Sequence, residues 1–174
     1  PTWPGSATLR LVDPDDHGRE LTTLRGTLTG APATDGHQHM SPNRADRLRL
    51  ESDPLSVEPW SSEAPKLYDA LLELTDASGR ILGVYRQRVG FRRIEIRHRR
   101  LLINGKPVLI NGVNRHEHED RRGKAIGRES MIADLQLLKR YNFNAVRTAH
   151  YPNHPDWYDL CDEHGIYLVD EANV

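Results

Sequence analysis

From residue 103 onward the chain repeats one pattern three times, a short apolar run that ends in a cluster of polar side chains. Val108-Leu109-Ile110 leads to Asn114-Arg115-His116-Glu117-His118, Ala145-Val146-Arg147 leads to His150, and Ile166-Tyr167-Leu168-Val169 leads to Asp170, Glu171 and Asn173. Between these runs the apolar spacing becomes helical. Met131, Ile132, Leu135 and Leu138 fall on one helix face, with Ser130 as the expected cap and Asp134 near the positive end. A second helix is framed by Pro155 at its first position and Gly165 at a left-handed stop, with Trp157, Tyr158 and Cys161 on one face. Strands alternating with helices pack in parallel. The pattern therefore predicts a βαβαβ unit with all three polar clusters on one rim, where α/β proteins keep their sites.

Upstream the period is that of strands. Alternating segments cover residues 8–12, 20–28, 47–50, 67–75 and 80–89, with 91–96 continuing the last. Asp13-Pro14-Asp15-Asp16, Asp53-Pro54 and Asp76-Ala77-Ser78-Gly79 separate them, the last as a hairpin turn. Such spacing predicts an antiparallel β-sandwich. Residues 30–45 are rich in Gly, Pro, Ser, Asn and His without periodicity and read as a long loop. The division expected is a sandwich over residues 1–100 and an α/β portion over 101–174. No Gly-x-Gly-x-x-Gly follows any strand, so the dinucleotide-binding form of the α/β architecture lacks its phosphate cradle. A (β/α)8 barrel remains, of which three strands are only the opening.

Composition narrows the class. With 37% apolar and 28% charged residues this is an ordinary globular chain. Its formal charge of −1 gives no reason to expect nucleic acid, and the basic run from Arg97 to Arg100 reads as a solvated edge. Cys161 is the single cysteine, which excludes an internal disulfide framework and fits a reducing, cytoplasmic location. No stretch approaches the roughly 20 apolar residues of a spanning helix, so no membrane is expected. The opening Pro1-Thr2-Trp3-Pro4 resembles neither a signal peptide nor an initiating methionine, and the chain is expected to be an internal piece of a longer protein.

The rim carries the chemistry. His116 and His118, two apart at a strand end, point the same way and suit either a metal or a substrate hydrogen bond; the plainer alternative has one facing the site and the other solvated. His150 precedes Tyr151-Pro152-Asn153-His154-Pro155, a rigid turn that fixes the imidazole. Arg147 lies in an otherwise apolar strand and needs a carboxylate, either Asp170 or Glu171. Those two acids are adjacent and alternate sides. They do not suit the facing pair of a retaining glycosidase, whose carboxyls stand about 5 Å apart.

Leu102-Ile103-Asn104-Gly105-Lys106-Pro107, Gly112-Val113-Asn114-Arg115-His116-Glu117-His118, Asn142-Phe143-Asn144-Ala145-Val146-Arg147, His150-Tyr151-Pro152-Asn153-His154-Pro155, Leu160-Cys161-Asp162 and Val169-Asp170-Glu171-Ala172-Asn173 resemble the opening of the catalytic barrel in glycoside hydrolase family 2. Upstream, Pro59-Trp60-Ser61, Pro65-Lys66-Leu67-Tyr68 and Val89-Gly90-Phe91-Arg92 resemble the immunoglobulin-like domain before that barrel. The Asn-Arg-His-Glu-His wording is closer to the family's bacterial β-galactosidases than to its glucuronidases, whose segment reads nearer to Asn-Lys-His-Glu-Asp.

The resemblance implies an incomplete immunoglobulin-like β-sandwich followed by the first three β/α units of a (β/α)8 TIM barrel. It implies retaining hydrolysis of terminal β-galactosides such as lactose, with one glutamate as acid/base and another as nucleophile, both on later barrel strands outside this chain. His116 and His150 match the family's histidines that stabilise the transition state through galactose hydroxyls, and Arg147 matches the arginine that supports the nucleophile. Magnesium is the implied cofactor, with sodium as a second ion, and its ligands are expected just after Val174. None is expected on this chain. A homo-oligomer is implied, and residues 30–45 fall where family members extend a segment toward a neighbouring subunit. The competing readings are a metal-dependent hydrolase built on His116-x-His118 and a non-catalytic sandwich module that binds carbohydrate or a subunit.

Overall fold

A computed structural model describes residues 5–28 and 48–173, so the segment 30–45 lies outside the described residues. The chain divides into two compact units, Pro1–Ser56 with Tyr68–Val89, and Val57–Leu67 with Gly90–Val174.

The first unit is a four-stranded antiparallel sheet of β1 (Gly5–Asp13), β2 (Arg19–Leu28), β3 (Tyr68–Asp76) and β4 (Ile81–Val89), in the order β2-β1-β3-β4. Ala7 and Leu11 of β1 are buried and Arg10 between them is exposed, the alternation the sequence predicts. The expected hairpin turn joins β3 to β4. Asp76 Oδ1 accepts from the backbone N–H and hydroxyl of Ser78 and from the Arg80 N–H, while Gly79 takes φ +86°. These bonds hold the Asp76 carboxyl below its ordinary value. The strand expected at 47–50 is not formed over its described residues 48–50. Leu48 and Leu50 instead lie over Gly26 of β2, where a Cβ would stand 2.7 and 2.8 Å from their methyl groups. Alternating apolar residues serve there as a cover over a gap, with no ladder of their own.

The second unit begins with an antiparallel sheet of β5 (Ile94–Arg97), β6 (Arg100–Ile103) and β7 (Lys106–Pro107). His98 and Arg99, at φ +50° and +61°, form the tight turn between β5 and β6, so the run from Arg97 to Arg100 is an exposed hairpin tip. The strand expected from residue 91 starts only at Ile94. Before it, the Phe91 carbonyl accepts from Trp60 N–H at 2.7 Å, and the Arg93 N–H donates to Asn104 Oδ1 at 2.9 Å. These contacts replace a sheet ladder.

Then follow β8 (Gly112–Arg115), α1 (Arg128–Arg140), β9 (Ala145–Thr148), α2 (Pro155–His164) and β10 (Tyr167–Val169), with the strands parallel in the order β10-β9-β8. The predicted βαβαβ unit is present. Met131, Leu135, Val146, Trp157, Leu160, Cys161 and Ile166 form its core, with Ile132 and Leu138 against them. Its first strand, however, lies downstream of the Val108-Leu109-Ile110 run, and Leu109 is 85% exposed. Asparagines explain the shift: Asn144 Oδ1 accepts from Asn111 N–H, Asn144 Nδ2 donates to the Leu109 carbonyl, and Asn111 Nδ2 donates to the Asn142 carbonyl. With residues 109–111 held by side chains, strand pairing starts at Gly112 opposite Ala145, where a Cβ would come within 2.9 Å of the Ala145 carbonyl oxygen.

Ser130 is not the cap of α1. The cap position is Gly127, without a side-chain bond, and Ser130 sits inside the first turn with its hydroxyl donating to Glu119 Oε2 at 3.1 Å. Arg122 also binds Glu119, and these partners hold that carboxyl below its ordinary value. In α2 both expected ends are found: Pro155 opens the helix, His154 Nδ1 accepts from Asp156 N–H, and Gly165 closes it at φ +70° and ψ +49°. Trp60 is buried beside this end, with its indole N–H on the Asp162 carbonyl and its ring edge-on to Tyr167. No described helix is long and apolar enough to cross a membrane.

Candidate functional site

Parallel strands bring the C-terminal ends of β8, β9 and β10 side by side, so residues far apart in sequence meet on one rim. Arg147 of β9 is at its centre. Its Nη1 donates to Asn114 Oδ1 at 3.2 Å, and its Nη2 lies 2.7 Å from Glu171 Oε2 and 3.3 Å from His150 Nδ1. Glu171 Oε2 is also 3.4 Å from His150 Nδ1. The His116 ring stands edge-on to His150 with centroids 5.5 Å apart, and 6.0 Å from the Tyr151 ring. The three residues singled out by sequence, His116, Arg147 and His150, are thus brought together. Of the two acids considered for Arg147, Glu171 is the partner.

The electrostatics suit a polar, uncharged ligand. Glu171 compensates the Arg147 charge, and the imidazoles of His116 and His150 stand exposed beside the pair. Protein groups engage His150 at Nδ1. Imidazole and guanidinium N–H groups can donate to hydroxyls, and such bonds lower a barrier when they tighten as the reaction proceeds.

Asp170 and Glu171 serve opposite sides, as their adjacency predicts. Asp170 Oδ1 accepts from Tyr158 hydroxyl at 2.8 Å and Thr148 hydroxyl at 3.1 Å, while Thr148 Oγ1 accepts from Glu171 N–H at 2.9 Å. Burial and the adjacent Asp170 raise the Tyr158 pKa above its ordinary value. Asp170 therefore ties β9, α2 and β10 together, and Glu171 faces Arg147 and His150.

His118 is exposed on the segment after β8, and among the described residues no group of three or more His, Cys, Asp or Glu is placed to hold a metal ion. Arg115, expected with the polar cluster on the rim, is turned away from it. This residue is 8% exposed, stacks its guanidinium 3.7 Å over the Trp157 ring, and bonds to Asp134 and Asn153. The available signal was strand alternation: with Asn114 and His116 directed to the rim, Arg115 between them must turn into the layer of helices.

The chain thus carries antiparallel sheets followed by three parallel strands whose rim holds an arginine, an acid and two histidines. Residues 7–92 match the profile of glycosyl hydrolases family 2 and residues 94–174 that of its TIM barrel domain; the chain belongs to this family. It is 47% identical over 147 residues, 84% of its length, to a protein of Psychromonas ingrahamii named β-galactosidase, and 56% identical over 115 residues, 66% of its length, to the β-galactosidase of Alteromonas mediterranea. The chain spans 14% and 11% of the length of those relatives. Among solved structures, a β-glycosidase from Bacteroides vulgatus matches 99% of this chain with TM-score 0.80 at 27% identity, over 20% of its own length. The β-D-glucuronidase of Dictyoglomus thermophilum matches 97% with TM-score 0.73 at 26% identity, over 25% of its length.

Proposed function

We propose that this chain is the sandwich-to-barrel portion of a retaining β-galactosidase that removes terminal β-D-galactose from galactosides such as lactose. The observation that carries the reading is the rim cluster of His116, His150, Arg147 and Glu171, within a sequence about half identical to proteins named β-galactosidase. In this reading the parallel strands are the first three of the barrel, and the two catalytic glutamates come from later strands. His116 and His150 donate to galactose hydroxyls, most strongly in the transition state, and Arg147 supports the nucleophile. Magnesium, with sodium as a second ion, belongs to the whole enzyme. The described residues offer no ligand cluster for either, and no step is assigned to them. A cytoplasmic homo-oligomer completes the proposal.

The test uses the full-length protein that contains this chain. It is expected to turn over a nitrophenyl β-galactoside and not the matching β-glucuronide. The reverse preference would overturn the substrate reading. Replacing His116 or His150 by Ala is expected to lower kcat on the order of 10²-fold, with a smaller change in ground-state binding. Unchanged kcat in His150→Ala would remove that residue from the site.

A further inference from the structure

We propose that Arg115 is a positioning residue that holds His150 against His116, acting through Glu117 and the turn that carries His150; this rests on the galactosidase reading above. Arg115 occupies the end of β8 and points between sheet and helices, against Trp157 of the apolar core. Its Nε donates to Asp134 Oδ2 at 2.9 Å, its Nη1 donates to Asn153 Oδ1 at 2.9 Å, and Nη1 lies 4.0 Å from Glu117 Oε1. The last two partners sit in the segments that carry the histidines. Glu117 Oε1 accepts from His154 N–H at 2.7 Å, the Glu117 N–H donates to Tyr151 hydroxyl at 3.2 Å, and the Ala149 N–H donates to the Arg115 carbonyl at 3.0 Å. Arg115 and its partners therefore clamp residues 115–117 to residues 149–154.

Stability alone does not account for this arrangement. Apolar residues of similar volume often replace a buried ion pair with no loss of stability. No apolar residue can hold the Asn153 amide oxygen or attract the Glu117 carboxylate. His116 directly follows Arg115 and His150 directly precedes Tyr151, so the clamp sets the 5.5 Å spacing of the two rings. A displacement of about 1 Å in a positioning group can cost about 10²-fold in rate.

Because Arg115 is proposed to work through His150, its effect must depend on that histidine. In the full-length enzyme, Arg115→Met keeps an unbranched apolar side chain beside the core and removes every donor. It is expected to lower kcat about tenfold or more when His150 is present, and by no more than about twofold in the His150→Ala background. Equal losses in both backgrounds, or no loss in either, would overturn the proposal. Glu117→Ala, which removes the acceptor for His154 N–H and the carboxylate beside Arg115, is expected to behave the same way and carries the test if Arg115→Met does not fold. Hydrogen exchange gives a readout separate from activity: either variant should lose protection at His154 N–H. Retained protection refutes the clamp even in a protein that never hydrolyses galactosides, whereas lost protection in such an inactive protein would leave the clamp standing and fault the substrate reading.

Discussion

Gly165 meets two demands at once. Its φ of +70° suits the left-handed stop of α2, and a Cβ there would lie 2.4 Å from the Ser62 carbonyl oxygen. Asn tolerates the left-handed region better than Ala, but it cannot relieve a backbone clash. In the full-length protein, Gly165→Ala and Gly165→Asn should therefore both weaken exchange protection over α2 and β10 by about 1 kcal/mol or more, Asn being the milder only by its smaller conformational penalty. An Asn variant as well protected as the parent would show that conformation alone selects glycine. Cys161 shows how burial governs chemistry: desolvation first, then the Asp162 charge, pushes its thiol up to about 12 from an ordinary 9.0. The folded state then keeps a proton that the unfolded state releases, so this residue's contribution to stability is complete below pH 9.0 and declines as pH rises toward about 12. Iodoacetamide should leave the Cys161 peptide unlabelled in native protein at neutral pH and label it after unfolding, as mass spectrometry can read. The sequence already pointed to both residues, through a glycine after a helical pattern and a cysteine on an apolar face. It groups Arg115 with the rim, whereas the partners of that side chain come from α1, the loop before α2, and α2 itself.

Among the elements, the helices and β9 follow their patterns closely and β8 does not. Periodicity located α1 because Met131 and Leu135 are buried by the sheet whatever happens at the helix ends. It fails for residues 108–110 because apolar character does not by itself make a strand, whereas Asn111, Asn142 and Asn144 decide where pairing begins. The cap of α1 departs from the pattern for a related reason: Ser130 has the right side chain, but it lies inside the first turn with its hydroxyl engaged by Glu119. That leaves a helix whose cap supplies no side-chain acceptor. Gly127 has extended backbone at φ −102° and ψ 170°, and a Cβ there would stand at ordinary distance, 3.6 Å, from the Arg122 guanidinium. Gly127→Asp is expected to stabilise α1 by a few tenths of a kcal/mol through capping and the helix dipole. Circular dichroism of a synthetic peptide covering residues 126–141 should show more helix with Asp; equal or lower helicity would count against the cap argument.

For the whole molecule, the rim holds groups proposed to bind and position the sugar, while the proposed reaction also needs an acid and a nucleophile. The 174-residue polypeptide by itself is therefore expected to show no galactosidase turnover, and a sensitive fluorogenic galactoside assay checks this. Ile94, Ile96, Leu109, Ile110 and Val169 are exposed in its second unit, so that unit should also aggregate or lose exchange protection when expressed without further chain. Measurable turnover, or strong protection throughout residues 112–169 of a monomer, would contradict this account. The opposed duties of Asp170 and Glu171 have a further consequence, for mutational tolerance. Since the first braces strand to helix and the second reaches the rim, β10 transmits a parity as well as a composition. Many single replacements in β10 should be survivable, yet losing or gaining one residue between Tyr167 and Glu171 would turn the bracing acid to the rim and the rim acid to the brace. Genes that keep this architecture should accordingly drift in spelling over that stretch while holding its length fixed.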